Sequence, residues 1–256
     1  MEYGRYVVEL ARLPRLAREH ADRLIPSSDL DGIHRIWDES KGGLIFSLGH
    51  VGNGEAAAAG VASRGWPINV VADDSSFPGL FEEFSRTREQ WGVHVIPWRN
   101  LREIYTVLRR REMLALLIDW GYRADGIPVR LFDAWTTLPA GPATLAAKTG
   151  SRILPITLQR NDDGRTFSVT WADPIEVTSS DPAALQAATQ RMADAFAASI
   201  APSPEQWYSF KPVWPADPAE QEHLAGRATA MQANEAPARP VEQGAEPGVE
   251  PGVEPG

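Results

Sequence analysis

Between residues 44 and 118, short apolar runs alternate with helical patterns, and this alternation restricts the chain more than any other property. Leu44–Leu48, Pro67–Ala72, Val93–Pro97 and Met113–Ile118 read as strands. Glu55–Ser63, Phe77–Trp91 and Leu101–Arg111 read as the helices between them. Strands that recur after helical crossovers pair in parallel and carry helices on both faces. The class predicted is α/β, with a central, mainly parallel sheet flanked by helices. The ends of the chain are different. Residues 1–41 form an N-terminal helical part: Tyr3, Tyr6, Val7, Leu10 and Leu13 recur at helical spacing with arginines between them, and a second helix begins near Asp29. Beyond Asp119 the pattern predicts an exposed or edge strand at Val129–Phe132, a helix at Ala140–Thr149 and a buried strand at Ile153–Gln159. Asn161-Asp162-Asp163-Gly164 then turns the chain into a return strand, Thr166–Trp171. A long helix follows over Asp181–Ile200, with Asp181 as cap and Pro182 in its first position.

The tail changes the meaning of the composition. Residues 216–256 end in repeated Glu-Pro-Gly units, which cannot form a packed element, and are expected to be disordered. From Asp217 onward the chain holds eight acids and two arginines, so most of the net charge of −9 belongs to the tail. Residues 1–215 are left as one domain, long enough for a full core. No basic stripe suggests nucleic acid. The chain contains no cysteine, which removes disulfides, thiolate nucleophiles and Cys-ligated metals. No H-E-x-x-H or paired histidine spacing suggests zinc, and no metal is expected.

The chemistry points to one turn. His50-Val51-Gly52-Asn53-Gly54-Glu55 follows the first strand and opens a helix. Imidazole takes protons near neutral pH, and a carboxylate beside it orients it. On a continuous helix, five residues would leave the two side chains roughly 140° apart. They meet only if the helix starts between them. The same glycines match the dinucleotide pattern G-x-G-x-x-A, with Asp73 about 20 residues further on. Glu55 argues against that reading, because it would compete with a pyrophosphate for the helix N-terminus.

Several blocks in order along residues 1–214 resemble one family. Gly49–Glu55 resembles the H-x4-[DE] motif of the bacterial lysophospholipid acyltransferase superfamily, in the branch of the lipid A lauroyl/myristoyl and phosphatidylinositol mannoside acyltransferases. Phe84–Val93, with its Arg88, is similar to the family's helix before a G-x-x-V-[IL]-P strand. Leu117-Ile118-Asp119 resembles a strand ending in an acid. Ala140–Ala146 with Thr149–Pro155 is similar to the G-P-A-x-L-A…T-G-A-x-x-x-P block, and Pro204-Glu205-Gln206-Trp207 to P-E-Q-W. There are departures: the family's F-F-G is Leu131-Phe132-Asp133 here, Gly54 stands for a bulkier residue, and the membrane-anchoring segment of relatives is not seen upstream.

The resemblance implies acyl transfer from acyl-CoA or acyl carrier protein, as co-substrate, to a hydroxyl of a lipid or glycolipid, with no cofactor. His50 is then the general base and Glu55 its orienting acid. Asn53, Arg88, Asp119 and Gly141 are expected at the substrates. Asp119 either binds acceptor hydroxyls, supports the dyad or caps a strand. Arg88 either meets a phosphate or is solvated. Oxyanion donors come from Gly52–Gly54 or from near Gly141. The expected location is peripheral, on the cytoplasmic face of the membrane. The alternatives are an NAD(P)-dependent oxidoreductase and a non-catalytic lipid-binding relative.

Overall fold

The computed structural model describes residues 2–12, 22–26, 28–74, 78–209 and 211–234. Six strands form one sheet: β1 (Leu44–Leu48), β2 (Ile68–Ala72), β3 (His94–Pro97), β4 (Met113–Leu117), β7 (Arg152–Arg160) and β8 (Phe167–Trp171). Their order is β3-β2-β4-β1-β7-β8, and only the β7–β8 pairing is antiparallel. The helices are α1 (Glu2–Arg12), α2 (Ser28–Glu39), α3 (Gly54–Ser63), α4 (Pro78–Trp91), α5 (Leu101–Arg109), α6 (Gly141–Thr149), α7 (Pro182–Ile200) and α8 (Pro218–Gln232). The α/β class and parallel sheet read from the alternation are therefore present.

Successive strand residues point to opposite faces of a sheet, and the core divides accordingly. Ile45, Leu114 and Ile153 pack toward α7. Leu44, Phe46, Met113 and Leu154 pack on the other side, with α2 and α3. Strands covered on both faces read as continuous apolar runs rather than alternating ones, as Leu44-Ile45-Phe46 and Met113-Leu114 do.

Two elements differ from expectation. The exposed or edge strand predicted at Val129–Phe132 is β5 (Ile127–Leu131), and it pairs with β6 (Ala134–Leu138), a strand the sequence reading did not foresee. The turn between them runs through Phe132 at φ +55, a conformation few non-glycine residues adopt. Order, expected to fade at residue 216, continues through α8. Asp217 caps that helix by accepting from the Ala219 N–H at 2.9 Å, and Leu224, Ala228 and Met231 are buried. The helix lies on α7, β5 and β6. Its burial of three apolar side chains separates it from the Glu-Pro-Gly repeats, which lie outside the described residues, as do residues 13–21 of the N-terminal helix expected from the sequence. Leu224→Ala is expected to lower the unfolding free energy by about 2–4 kcal/mol in urea titrations; a change near zero would show that α8 does not contribute to the core.

Candidate active site

The register of two neighbouring strands assembles the site. Leu48 of β1 stands opposite Leu117 of β4, and the Ile118 N–H donates to the Leu48 carbonyl at 2.9 Å. His50 follows β1 by two residues and Asp119 follows β4 by two. Parallel strands in register therefore deliver both side chains to the same point on the carboxyl edge, where open α/β sheets gather their ligands.

The contacts there are direct. His50 Nδ1 is 2.8 Å from Asp119 Oδ1, and the His50 backbone N–H donates to Asp119 Oδ2 at 2.7 Å. The Trp207 indole N–H donates to the same Oδ2 at 2.9 Å. A carboxylate only accepts, so in the neutral ring Nδ1 carries the proton and Nε2 the lone pair. The Asp119 side chain is fully buried, and the His50 ring keeps 17% of its exposure. Gly49 is required for this approach, since a Cβ there would overlap the Phe196 ring and come within 2.9 Å of Asp119 Oδ2.

The turn after His50 is tied down on two sides. Residues 206–208 ladder against it: the Gly52 N–H donates to the Gln206 carbonyl at 3.0 Å and the Tyr208 N–H to the His50 carbonyl at 2.8 Å. Gly52 has φ +62, and a Cβ would run into the Leu158 carbonyl. This glycine serves close packing on β7, and its N–H is already engaged, so it is not a ready donor for an oxyanion. Asn53 caps α3, its Oδ1 accepting from the Ala56 N–H at 3.1 Å. Its Nδ2 donates to Glu9 of α1 at 2.9 Å. Glu9 also pairs with Arg160, whose side chain is 3% exposed. Asn53 is thus a link between α1 and the turn that carries His50.

Glu55 takes a different place from the one expected. The carboxylate bonded to Nδ1 is that of Asp119, while Glu55 is held by two points to Arg88, through Nε at 2.9 Å and through Nη2. The reason is local. Glu55 sits in the first turn of α3, which packs against α4, the helix that carries Arg88. Burial opposes the Arg88 charge, but the Glu55 hydrogen bond and its negative charge outweigh this and raise the Arg88 pKa above the ordinary arginine value. Tyr6 of α1 reaches the same corner. Burial, and then the Glu55 charge, push its hydroxyl up to about 12, so it remains a donor at neutral pH. Its ring stacks on Tyr208 with centroids 4.9 Å apart.

Glu55 and Arg88 are the charged residues that line an otherwise apolar cavity of about 90 Å³ among the described residues. Phe46, Leu48, Ala58, Val61 and Leu117 line its depth. It lies under α3, on the face of the sheet away from α7.

Gly141 opens α6, which leads back to the start of β7, so it lies toward the carboxyl edge. Arg109, Arg110 and Arg111 precede β4 and lie at the opposite edge, where Arg111 bonds the Asp38 and Ser40 carbonyls. Trp207, Tyr6, Glu9 and Arg160 were not singled out. Only Trp207 had a signal, its place in the Pro-Glu-Gln-Trp block.

The model for the bacterial lipid A biosynthesis acyltransferases matches residues 1–215. The chain belongs to that family, and it is an acyltransferase. A phosphatidylinositol mannoside acyltransferase of Mycolicibacterium smegmatis (strain ATCC 700084 / mc(2)155) is 31% identical over 222 residues, covering 84% of this chain and 70% of that protein. Proteins of the same name from Mycobacterium tuberculosis strains CDC 1551 / Oshkosh and ATCC 25618 / H37Rv are 32% identical, each covering 85% of this chain and 69% of its own length. Membership in this family sets aside the oxidoreductase reading.

Removing Glu9 would leave Glu2 as the one carboxylate paired with Arg160 among the described residues and free the Asn53 amide. Glu9→Ala is expected to cost on the order of 1–3 kcal/mol in chemical denaturation; unchanged stability would mean that α1 is not held through this carboxylate.

Proposed function

We propose that this acyltransferase transfers a fatty acyl group from an acyl-CoA or acyl carrier protein thioester to a hydroxyl of a glycolipid, with His50 as general base. The hydrogen bond from His50 Nδ1 to Asp119 carries the reading. A sugar or inositol hydroxyl is a weak nucleophile at neutral pH. As its oxygen attacks the thioester carbonyl carbon, its proton passes to His50 Nε2. Asp119 holds the tautomer and stabilises the imidazolium, the part an aspartate plays in a Ser-His-Asp triad. The tetrahedral intermediate then expels the thiolate as the C–S bond breaks, and the imidazolium returns the proton to sulfur. No covalent enzyme intermediate forms. The relatives' name supports a phosphatidylinositol mannoside as the acceptor class.

Glu55 then acts one step away from the base. It fixes Arg88 at the mouth of the apolar cavity, where the guanidinium can meet a phosphate oxygen of donor or acceptor. The cavity takes the start of the acyl chain, its lining being almost entirely hydrocarbon. Tyr6 offers its hydroxyl to the same corner.

A membrane surface fits the exposed apolar side chains. Trp98 and Trp120 follow β3 and β4 on the carboxyl edge, and Tyr3, Val7 and Val8 face outward on α1. Tryptophan and tyrosine suit the interfacial layer of a bilayer. Among the described residues no helix is long and apolar enough to cross a membrane, so this contact is read as peripheral, on the cytoplasmic side.

His50→Ala is expected to abolish CoA release from palmitoyl-CoA with a glycolipid acceptor. Asp119→Asn should lower kcat by roughly 10²–10⁴-fold, while circular dichroism stays unchanged. Full activity in either variant would overturn the assignment. Ala58→Phe should depress turnover of palmitoyl-CoA far more than that of butyryl-CoA; an equal effect on both would place the chain elsewhere.

A further inference from the structure

The sheet has a second hollow, on its other face. Alternation along β1 turns Phe46 and Leu48 into the cavity under α3 and turns Ser47 toward α7. There a cavity of about 240 Å³ lies between β1, β7, β8 and α7. Met192, Ala195, Phe196 and Ser199 line it from α7, at a spacing that puts them on one side of that helix.

The polar groups in this cavity are unequally satisfied. The Thr157 hydroxyl donates to Ser199 Oγ at 2.7 Å, and the Ser199 hydroxyl donates to the Phe196 carbonyl at 2.8 Å. Ser47 Oγ has no hydrogen-bond partner among the described residues, although the residue is only 2% exposed. A buried hydroxyl left unpaired is costly, and most such groups in native proteins have a partner. Among the described residues, no charged one lines the cavity. A carboxylate buried there would lack a counter-ion, a far larger penalty than that of a neutral hydroxyl.

We propose that this cavity binds a neutral aliphatic alcohol, with its hydroxyl on Ser47 Oγ and its chain against Met192, Ala195 and Phe196. The volume suffices, since an apolar cavity of about 150 Å³ already accepts benzene. The site is separate from the acyl cavity, because the two lie on opposite faces of β1. It is close to the dyad all the same. The Phe196 ring meets Trp207 edge-on at 5.6 Å, and Trp207 donates to Asp119. An occupant would press on the ring that braces the carboxylate's own partner.

The test is calorimetric titration of the full chain with 1-octanol and with octanoate, alongside NMR of the Met192 methyl group. Neither readout depends on turnover, so failure here leaves the proposed reaction untouched. Octanol is expected to bind and to shift the Met192 methyl signal, whereas octanoate does neither. Ser47→Ala should weaken octanol by about five- to tenfold although it leaves more room. Ala195→Phe should abolish the site, and Ala58→Phe, which fills the acyl cavity, should not. The proposal is overturned if octanol fails to bind, if the Met192 signal stays in place, or if Ser47→Ala binds as tightly as the parent. Loss of binding in Ala58→Phe alone would assign the alcohol to the acyl cavity instead. Should Ala195→Phe not fold, the Met192 signal and Ser47→Ala decide the matter.

Discussion

The in-register parallel pairing of β1 with β4 is the constraint on which the site depends. It sets Leu48 beside Leu117 and so places His50 and Asp119, two residues beyond each, within one hydrogen bond of each other. Neither strand chooses that register by its turn, because a parallel pair has no hairpin between its members. Burial on both faces chooses it instead. A slip of β1 by one residue would move Ile45 to the side of α2 and α3, and Phe46 to the side of α7. The geometry of the His50–Asp119 pair is therefore set by hydrophobic packing several residues away from it.

Around that pair, ionic groups are arranged in closed sets. Asp119 spends its oxygens on the His50 ring, the His50 backbone and Trp207. Glu55 is matched to Arg88, and Arg160 to Glu2 and Glu9. Buried charge is tolerated only when paired and hydrogen-bonded, and here each pairing also joins two elements. Glu55 joins α3 to α4. Glu9 joins α1 to β7 and, through Asn53, to the start of α3.

Much of this was legible in the sequence. Leu44–Leu48 was bounded correctly, and the Asp-Pro signal located the start of α7. The same signal stands at Asp217-Pro218 and begins α8, but the prolines and acids that follow concealed it. β6 was hidden because its turn, through Phe132, lacks the Asn-Gly or Asp-Gly pair that marks a hairpin. Support of His50 was one of the readings open for Asp119, but sequence spacing could not choose it over Glu55. Glu55 is five residues from His50 and Asp119 is 69, and local spacing says nothing about strand register. The order of blocks was enough to reveal the family, because a motif series survives even where the contacts between its members are unknown.

That separation of 69 residues also bears on how the protein reaches its working state. Between His50 and Asp119 the chain must complete two crossovers and return to insert β4 between β2 and β1. Such non-local pairings form late, since the loop-closure entropy must be overcome before the contacts exist. Helical signal can recover during refolding well before His50 and Asp119 meet. Under the proposed mechanism turnover returns only after the fourth strand has entered the middle of the sheet, so activity reports a non-local pairing to which helical signal is blind.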